Sequence, residues 1–304
     1  MTTQKAPSVD AKPTKSPPSK AFRFSTAALI GPLFAYGIFK GHLLDVVGRL
    51  RPSPEMRSTN SSAVQTSIAD IDFAAMHAQY AAACPDHRWE THIFSTDPLI
   101  VYIENYLAFE ETQYLLNLAY DPGSSPVSKG YNLDAYDPEI RSSMSAVVPN
   151  DPIVSCIEKR SVDFQGYMPV SHLEDIQVVK YEVGDQFRPH FDWFSGMENP
   201  RLSTIFVYLA CDDCRGGNTQ FPDFSGRFTT TWCRFVDCAH DFDDGVGGVG
   251  FKPITGNAVF WSNLYPNGTG HPGVWHAGMP VKRGRKIGLN IFTRRDPMTP
   301  GVTS

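Results

Sequence analysis

A histidine and an aspartate lie two residues apart in the segment RPHFDWF, at His190 and Asp192. On a β-strand, side chains two residues apart point to the same face, so the spacing predicts two neighbouring polar groups. Burying both without a partner is costly, and a bound metal ion removes much of that cost. The same pair also fits an ordinary loop, so a metal site requires a further ligand elsewhere in the chain.

His276 supplies a candidate for that ligand, 86 residues after His190 and at the end of a predicted strand. Two histidines and one carboxylate on one face are typical of non-haem iron(II) oxygenases, and they leave three coordination positions open. Zinc is the alternative metal. Hydrolytic zinc chemistry is less favoured, because no obvious catalytic acid lies near the three residues.

Lys286 stands at the start of the apolar segment KIGLNIF, ten residues after His276. Lysine is rarely buried without a partner, so a lysine on a buried strand is unusual. One interpretation is that Lys286 is the exposed end of the basic turn KRGRK. The other is that its ammonium group binds the far carboxylate of a 2-oxo acid whose other end chelates the metal.

Two helices are predicted ahead of these residues, in a region that begins near Pro98. The segment FEETQYLLNLAY has the apolar periodicity of a helix and follows the predicted strand LIVYIENYL. The second helix begins after Asp151, which is a favourable N-cap, and Pro152 fits its first turn.

The rest of the chain is rich in short predicted strands separated by Gly, Pro, Asn and Asp. They are DIQVVKYEV, FRPHFDWF, LSTIFVYLA, TQFPDF, FKPI, NAVFWSNL, GVWHAGMPV and KIGLNIFT. This pattern predicts an antiparallel sandwich or barrel with helices packed on one side. The expected fold class is therefore α+β with mainly β structure.

The overall composition limits the classes of partner. Of the 304 residues, 41% are hydrophobic and 19% are charged, which is ordinary for a globular protein. The net charge is −5 and no basic stripe is present, so a nucleic-acid partner is not expected.

The N-terminal part of the chain differs in composition from the rest. Residues 1–20 are rich in Pro, Ser, Thr and Lys, which predicts a disordered tail. Residues 21–44 contain a run of sixteen residues without a charge and predict a membrane signal-anchor. Residues 45–90 are interpreted as a stem with a short helical patch around Ile68–Ala83. A cleaved signal peptide and a buried amphipathic helix are the alternatives for the apolar run.

Basic residues precede the apolar run, among them Lys12, Lys15, Lys20 and Arg23. The positive-inside rule then keeps the N-terminus in the cytosol and places the C-terminal part in the secretory lumen. The expected protein is a single-pass type II membrane protein of the endoplasmic reticulum or secretory pathway. The sequence does not predict its oligomeric state.

Sequons and cysteines favour the same location. Asn60 and Asn267 each begin an N-glycosylation sequon. The six cysteines are expected to form disulfides in an oxidising compartment, although their connectivity cannot be predicted. Free thiols are one alternative. Another is a zinc knuckle formed by Cys211, Cys214, Cys233 and Cys238.

Four segments that include the candidate residues resemble prolyl 4-hydroxylase catalytic subunits, which are 2-oxoglutarate- and Fe(II)-dependent dioxygenases. They are LEDIQVVKYEVGDQFRPHFDWF, RLSTIFVYLACDDCRGGNTQFP, FKPITGNAVFWSNL and WHAGMPVKRGRK. The resemblance runs from about Pro98 to Arg295, with the segments in the family's order. It implies a double-stranded β-helix (jelly roll) with flanking N-terminal helices. The dioxygenase domain is expected at residues 91–296, followed by a short tail at 297–304.

The resemblance implies specific roles for the candidate residues. His190, Asp192 and His276 are expected to bind iron, and Lys286 is expected to bind the C5 carboxylate of 2-oxoglutarate. The implied cofactors and co-substrates are Fe(II), 2-oxoglutarate, O₂ and L-ascorbate.

Two further residues match family positions around the co-substrate. The hydroxyl of Tyr181 is expected to reach 2-oxoglutarate, although plain strand packing is an alternative for this residue. Thr219 is expected to line the co-substrate pocket. Trp261, by contrast, is expected to pack in the core.

The chain also departs from the family pattern. Asn218 stands where the family usually has Glu, Ile287 stands where it often has Trp, and residues 228–250 are an insertion. The expected function is hydroxylation of prolyl residues in peptides or proteins. An oxygenase acting on a proline- or peptide-derived small molecule is one alternative. A non-catalytic binding module is another, which the intact metal ligands and lysine disfavour.

Overall fold

The structure is a computed structural model that describes residues 71–120, 142–224, 228–238 and 247–298. The predicted disordered tail, the predicted signal-anchor of residues 21–44, and most of the predicted stem and C-terminal tail lie outside the described residues. Within the described ranges, no helix has the length and apolar character needed to cross a membrane.

Eleven β-strands lie within the described residues. They are β1 (Glu90–Thr96), β2 (Leu99–Glu104), β3 (Met144–Val147), β4 (Gln177–Tyr181), β5 (Phe187–His190), β6 (Arg201–Gly216), β7 (Thr219–Phe221), β8 (Val249–Phe251), β9 (Ala258–Ser262), β10 (His276–Gly278) and β11 (Val281–Arg294). Seven form one sheet in the order β1-β2-β9-β6-β11-β4-β3, and four form another in the order β5-β10-β7-β8. The strand pairs are antiparallel. The predicted mainly β fold is confirmed, and the two sheets are consistent with a jelly roll.

Three helices accompany the sheets: α1 (Phe73–Ala82), α2 (Phe109–Tyr120) and α3 (Pro152–Phe164). Asp151 caps α3 as predicted, because its carboxylate accepts hydrogen bonds from the backbone N–H groups of Ile153 and Val154 at 2.8 and 2.9 Å. These two donors have no partner inside the helix, so the cap satisfies them.

Strand β6 separates two apolar cores because its side chains alternate between the two faces of the larger sheet. Ile205, Val207 and Leu209 belong to a core shared with residues of the helices. Phe206 and Tyr208 belong to a second core between the two sheets. The helices therefore cover one face of the larger sheet, as predicted, and the candidate site lies on the other face.

A buried ion pair joins α2 to α3. Arg160 donates two hydrogen bonds to the carboxylate of Glu111, at 2.8 and 2.7 Å, and a third to the backbone carbonyl of Tyr106. The hydroxyl of Tyr80 also donates to Glu111. Because both buried charges have several partners, neither is left uncompensated.

Helix α1 falls inside the predicted stem, but it packs on the domain. Met76 is buried in the core shared by the helices and the larger sheet. A disulfide between Cys84 and Cys156 then links the residues after α1 to α3. The packed part of the chain therefore includes residues that precede position 91, where the domain was expected to begin.

All six cysteines are paired. In addition to the bridge between Cys84 and Cys156, disulfides join Cys211 to Cys214 and Cys233 to Cys238. The predicted disulfides are therefore confirmed. The alternative zinc knuckle and the alternative of free thiols are both wrong, because no cysteine sulfur is left as a thiolate ligand or a free thiol.

The described part of the insertion at residues 228–250 packs on the core between the two sheets. The ring of Phe235 stacks on Tyr102 with 4.1 Å between centroids, and Trp232 contacts Phe94 edge to face. The insertion therefore covers the hairpin of β1 and β2 with aromatic side chains.

Candidate metal centre and its pocket

Strands β5 and β10 bring two predicted metal ligands together. His190 ends β5 and His276 begins β10, and the antiparallel register places them directly opposite each other. Asp192 lies two residues past the end of β5, whereas the sequence analysis placed it on the strand. The ladder stops at His190 because the residues before His276 form a 3₁₀ turn, Pro272–Val274, and cannot extend the pairing.

The three side chains face one another across a space that is too wide for direct hydrogen bonds. Nε2 of His190 lies 3.8 Å from Oδ1 of Asp192, and Nε2 of His276 lies 3.7 Å from Oδ2. Their candidate ligand atoms all lie within 4.8 Å of one another. Nitrogen–oxygen hydrogen bonds are usually no longer than about 3.2 Å. A shared ion therefore accounts for the arrangement better than direct pairing does.

The other ring nitrogens fix the histidine tautomers. Nδ1 of His190 lies 2.8 Å from the carbonyl oxygen of Arg188, and Nδ1 of His276 lies 2.9 Å from that of Val274. Because a carbonyl oxygen can only accept, each Nδ1 carries the proton and donates it. In the neutral ring each Nε2 then carries the lone pair that a metal would bind, and two imidazoles with one carboxylate suit Fe(II).

Asp192 is buried as a carboxylate. Burial alone would raise the pKa of its carboxyl group, but His276 and His190 in their protonated form, the Arg201 guanidinium and a hydrogen bond from Thr204 together lower that pKa below its ordinary value. Nη1 of Arg201 lies 3.9 Å from Oδ1 of Asp192. The side chain is therefore in the ionised form that binds a cation.

A cavity of about 260 Å³ lies between the two sheets, and all six predicted site residues line it. Five of them come from five different strands, and one comes from the loop after β5. They are His190, Asp192, His276, Lys286, Tyr181 and Thr219. Residues separated by up to about a hundred positions in the sequence are thus brought to a single place.

Lys286 is 1% exposed, so the interpretation as an exposed turn end is wrong. Burial lowers the pKa of its ammonium group to about 7. Nζ lies 4.8 and 5.0 Å from the ring centroids of Phe206 and Tyr181, and within the described part of the chain no carboxylate pairs with it. A cation with aromatic neighbours and no counter-charge calls for an anionic ligand.

Tyr181 and Thr219 line the same cavity as Lys286. Tyr181 is the register partner of Lys286 on the neighbouring strand. A side chain at Gly278 would come within 3.3 Å of the Tyr181 hydroxyl, so the glycine leaves room for that group. The hydroxyl of Thr219 is 2.9 Å from that of Tyr208. This placement is compatible with the predicted contacts to a co-substrate.

Two further cavity residues, Trp261 and Arg201, were not predicted from the sequence as part of the site. Trp261 is buried, as expected for the core, but it also lines the cavity, with its ring 4.7 Å from that of His276. Arg201 lines the cavity while its guanidinium binds both carboxylate oxygens of Glu174, at 2.7 and 2.9 Å. An arginine directly before the predicted apolar strand LSTIFVYLA is the signal that could have identified it.

A second group with metal-ligand chemistry lies away from this cavity, at Glu90, His92 and Glu104. Arg234 already forms an ion pair with Glu104 at 3.4 Å. Because a cationic side chain neutralises this group, we do not assign a metal to it.

We expect Lys286→Met to stabilise the ligand-free protein, because it removes a buried ammonium group. The pKa of Lys286 falls from its ordinary 10.5 to about 7 on folding, so the unfolded chain binds more protons between these values. The stability of the wild-type protein therefore rises as pH increases through this window. The advantage of the variant, on the order of 2–4 kcal/mol, is full below pH 7 and shrinks above it.

Urea unfolding at about pH 6.5 and about pH 9.5 measures this difference. Lys282→Met, at an exposed lysine of the same strand, is the matched control. A stability gain that is equal at both pH values, or absent at both, contradicts the prediction.

Comparison with known proteins gives one family. Residues 176–294 match the model of the 2OG-Fe(II) oxygenase superfamily. The chain is 32% identical over 211 residues to probable prolyl 4-hydroxylase 10 of Arabidopsis thaliana, covering 66% of this chain and 70% of that protein. It is 31% identical over 211 residues to prolyl 4-hydroxylase 5 of the same organism, covering 66% and 69%.

A viral collagen prolyl hydroxylase from Paramecium Bursaria Chlorella virus-1, in a 2OG complex, is 24% identical, with a TM-score of 0.47 over 64% of this chain and 95% of that chain. A prolyl-4-hydroxylase of Pseudomonas putida is 15% identical, with a TM-score of 0.42 over 74% and 100%. The family assignment rests on the sequence matches: the chain belongs to the prolyl 4-hydroxylase-like family of 2OG-Fe(II) oxygenases and is a dioxygenase.

Proposed function

We propose that this dioxygenase hydroxylates prolyl residues of peptides or proteins, with Fe(II) held by His190, Asp192 and His276. The observation that carries the proposal is a single cavity containing both this three-residue group and the buried cation Lys286. One oxygen atom of O₂ enters the succinate that forms, with CO₂, from 2-oxoglutarate. The other becomes the new hydroxyl group on the substrate, so atoms and electrons balance.

The residues present fit a resident Fe(II) ion. The Nε2 atoms of two histidines and one carboxylate converge on the same space and leave coordination positions open for the co-substrates. Bound iron supplies the redox chemistry that couples decarboxylation of 2-oxoglutarate to hydroxylation. The surrounding residues bind and orient the reactants and exclude water. L-ascorbate, the reductant implied by the family resemblance, is part of the same proposal.

Lys286 is the proposed anchor for the C5 carboxylate of 2-oxoglutarate. Its ammonium group is buried among aromatic rings, with no counter-charge among the residues that the structure describes, and an ion pair is strongest where water is excluded. The hydroxyl groups of Tyr181 and Thr219 line the same cavity and are proposed to contact the same co-substrate.

Aromatic side chains in the cavity wall suit a proline-containing peptide. Phe194 lines the cavity and is 63% exposed, and Phe191 lies 4.6 Å from the rings of both Trp193 and Trp275. Aromatic-lined grooves bind Pro-rich segments, because a polyproline II helix is already extended and loses little entropy on binding. The names of the relatives, prolyl 4-hydroxylases, support the same substrate class.

A small proline- or peptide-derived metabolite is the alternative substrate. A cavity of about 260 Å³ is also large enough for a small molecule. Asn218 and Ile287 depart from the family pattern, which leaves the substrate as the least constrained part of the proposal.

We expect His190→Ala, Asp192→Ala and His276→Ala each to abolish succinate formation while leaving the chain folded, because each removes one proposed metal ligand. Succinate is measured in the presence of O₂, 2-oxoglutarate and a panel of Pro-rich peptides and free proline derivatives. His77→Ala, at an exposed histidine of α1, is the matched control. Near-normal activity and iron content in any of the three variants would show that the substituted residue is not a metal ligand. Turnover of free proline derivatives alone would favour the metabolite alternative.

We expect Lys286→Ala to raise the KM for 2-oxoglutarate with little effect on iron binding. Losing a charge-assisted hydrogen bond costs about 1.5–3 kcal/mol, or roughly 10- to 150-fold in affinity. The assay is run near pH 7, where part of the Lys286 population is protonated before ligand binds. Lys282→Ala is the control from the same strand, and an unchanged KM in Lys286→Ala removes this lysine from the site.

We also propose that the enzyme is a type II membrane protein with its catalytic domain in the secretory lumen. Three disulfides support an oxidising compartment. Asn267, the first residue of a sequon, is exposed and therefore accessible to a glycosyltransferase. The proposed anchor at residues 21–44 rests on sequence alone.

Protease treatment of sealed microsomes tests this topology. We expect the catalytic domain to survive until detergent is added, because the membrane shields a lumenal domain. We also expect endoglycosidase to increase its gel mobility if Asn267 or Asn60 carries a glycan. Digestion without detergent, together with no glycan shift, contradicts the lumenal location and favours a cytosolic enzyme.

A further inference from the structure

We propose that Thr204 and Asn263 are positioning residues that hold the Asp192 carboxylate in the orientation needed to bind the metal. The proposal rests on the proposed metal site and adds two residues that lie behind the three ligands. Both are buried, Thr204 at 1% and Asn263 at 0% exposure.

Asp192 needs such support because of its place in the fold. It lies two residues past the end of β5, where the strand ladder no longer holds the chain. The hydroxyl of Thr204 lies 2.6 Å from Oδ2 of Asp192, which is a short hydrogen bond. This contact links the loop after β5, which carries Asp192, to β6 of the larger sheet.

Asn263 determines the direction of that hydrogen bond. Its side-chain Nδ2 lies 2.9 Å from the hydroxyl oxygen of Thr204. An amide nitrogen can only donate, so the oxygen of Thr204 accepts from Asn263 and its single hydroxyl proton points to Asp192. A flipped amide would leave one of the two contacts without a proton.

Both supporting residues are held by rigid backbone. Thr204 lies on β6, which is paired on both sides, with Trp261 of β9 and Phe292 of β11 as its register partners. The backbone N–H of Asn263 donates to Leu202, and its carbonyl accepts from His271, each at 2.8 Å. The chain Asn263–Thr204–Asp192 therefore transmits a fixed geometry from the larger sheet to the metal ligand.

Removing the hydroxyl should weaken metal binding without unfolding the chain. We expect Thr204→Val, which keeps the shape of the side chain, to lower affinity for Mn²⁺ by about 10- to 100-fold. Mn²⁺ replaces Fe(II) as the probe because Mn²⁺ is less easily oxidised. Its binding to the full-length protein is measured by calorimetry, which does not depend on catalytic activity. Thr204→Ser restores the hydroxyl and should recover most of the affinity.

Two further variants separate positioning from general packing. Thr293→Val removes the hydroxyl of another buried threonine, which accepts from Gln165 away from the site, and should leave Mn²⁺ affinity unchanged. Asn263→Ala should weaken binding less than Thr204→Val does. The double variant Thr204→Val with Asn263→Ala should show no further loss, because Asn263 acts through Thr204.

The outcomes separate this inference from the metal assignment on which it rests. If the folded wild-type protein fails to bind Mn²⁺, the assignment of the three ligands is wrong and the inference falls with it. If the wild type binds and Thr204→Val binds equally well, only the positioning role is wrong. Should Thr204→Val fail to fold, Asn263→Ala decides the question, since wild-type affinity in that variant also overturns the relay.

Discussion

The antiparallel pairing of β5 with β10 is the constraint on which the site depends. It sets His190 opposite His276 with both side chains on the inner face of the smaller sheet. A slip of one residue in this register would turn one histidine to the opposite face, because side chains alternate along a strand. The 3₁₀ turn before His276 ends the pairing at this point and releases the chain to place Asp192 beside both rings. One register therefore determines both the histidine pair and the position where the carboxylate enters.

Lys286 shows how this fold accepts an unfavourable group where ligand binding requires one. A buried ammonium group lowers stability, and the aromatic rings around it offset only part of that cost. Gly217, at a positive φ, allows the close approach, since a side chain there would meet the Lys286 stem at 3.2 Å. Other buried charges among the described residues have counter-charges, as Arg160 has in Glu111 and Arg201 in Glu174. This contrast indicates that Lys286 serves to bind an anionic ligand, and that it does not contribute to the stability of the fold.

The parts of the fold that follow from local rules were predictable from sequence. The bounds of α2 and the N-cap of α3 agree with the predicted segments, because periodicity and capping act over a few residues. Strands β1 and β3 were missed because ETHIFST mixes polar and apolar residues and MSAV is only four residues long. In the site, residue type and spacing identified the candidate ligands. Thr204 and Asn263 gave no comparable signal, because their contacts join strands that only the folded sheets bring together.

The division of the core between helices and sheets determines what the smallest folding unit must contain. The strands that carry the candidate site lie within residues 176–294 and belong to both sheets. The outer face of the larger sheet, however, is covered by α2 and α3. A fragment restricted to that range would expose Ile205, Val207 and Leu209 to water and would leave β9 as an open edge without β2. An exposed apolar face beside an unpaired strand favours aggregation. We therefore expect the segment 176–294 not to fold as a soluble domain by itself, because α2 and α3 are needed to cover the apolar face of the larger sheet.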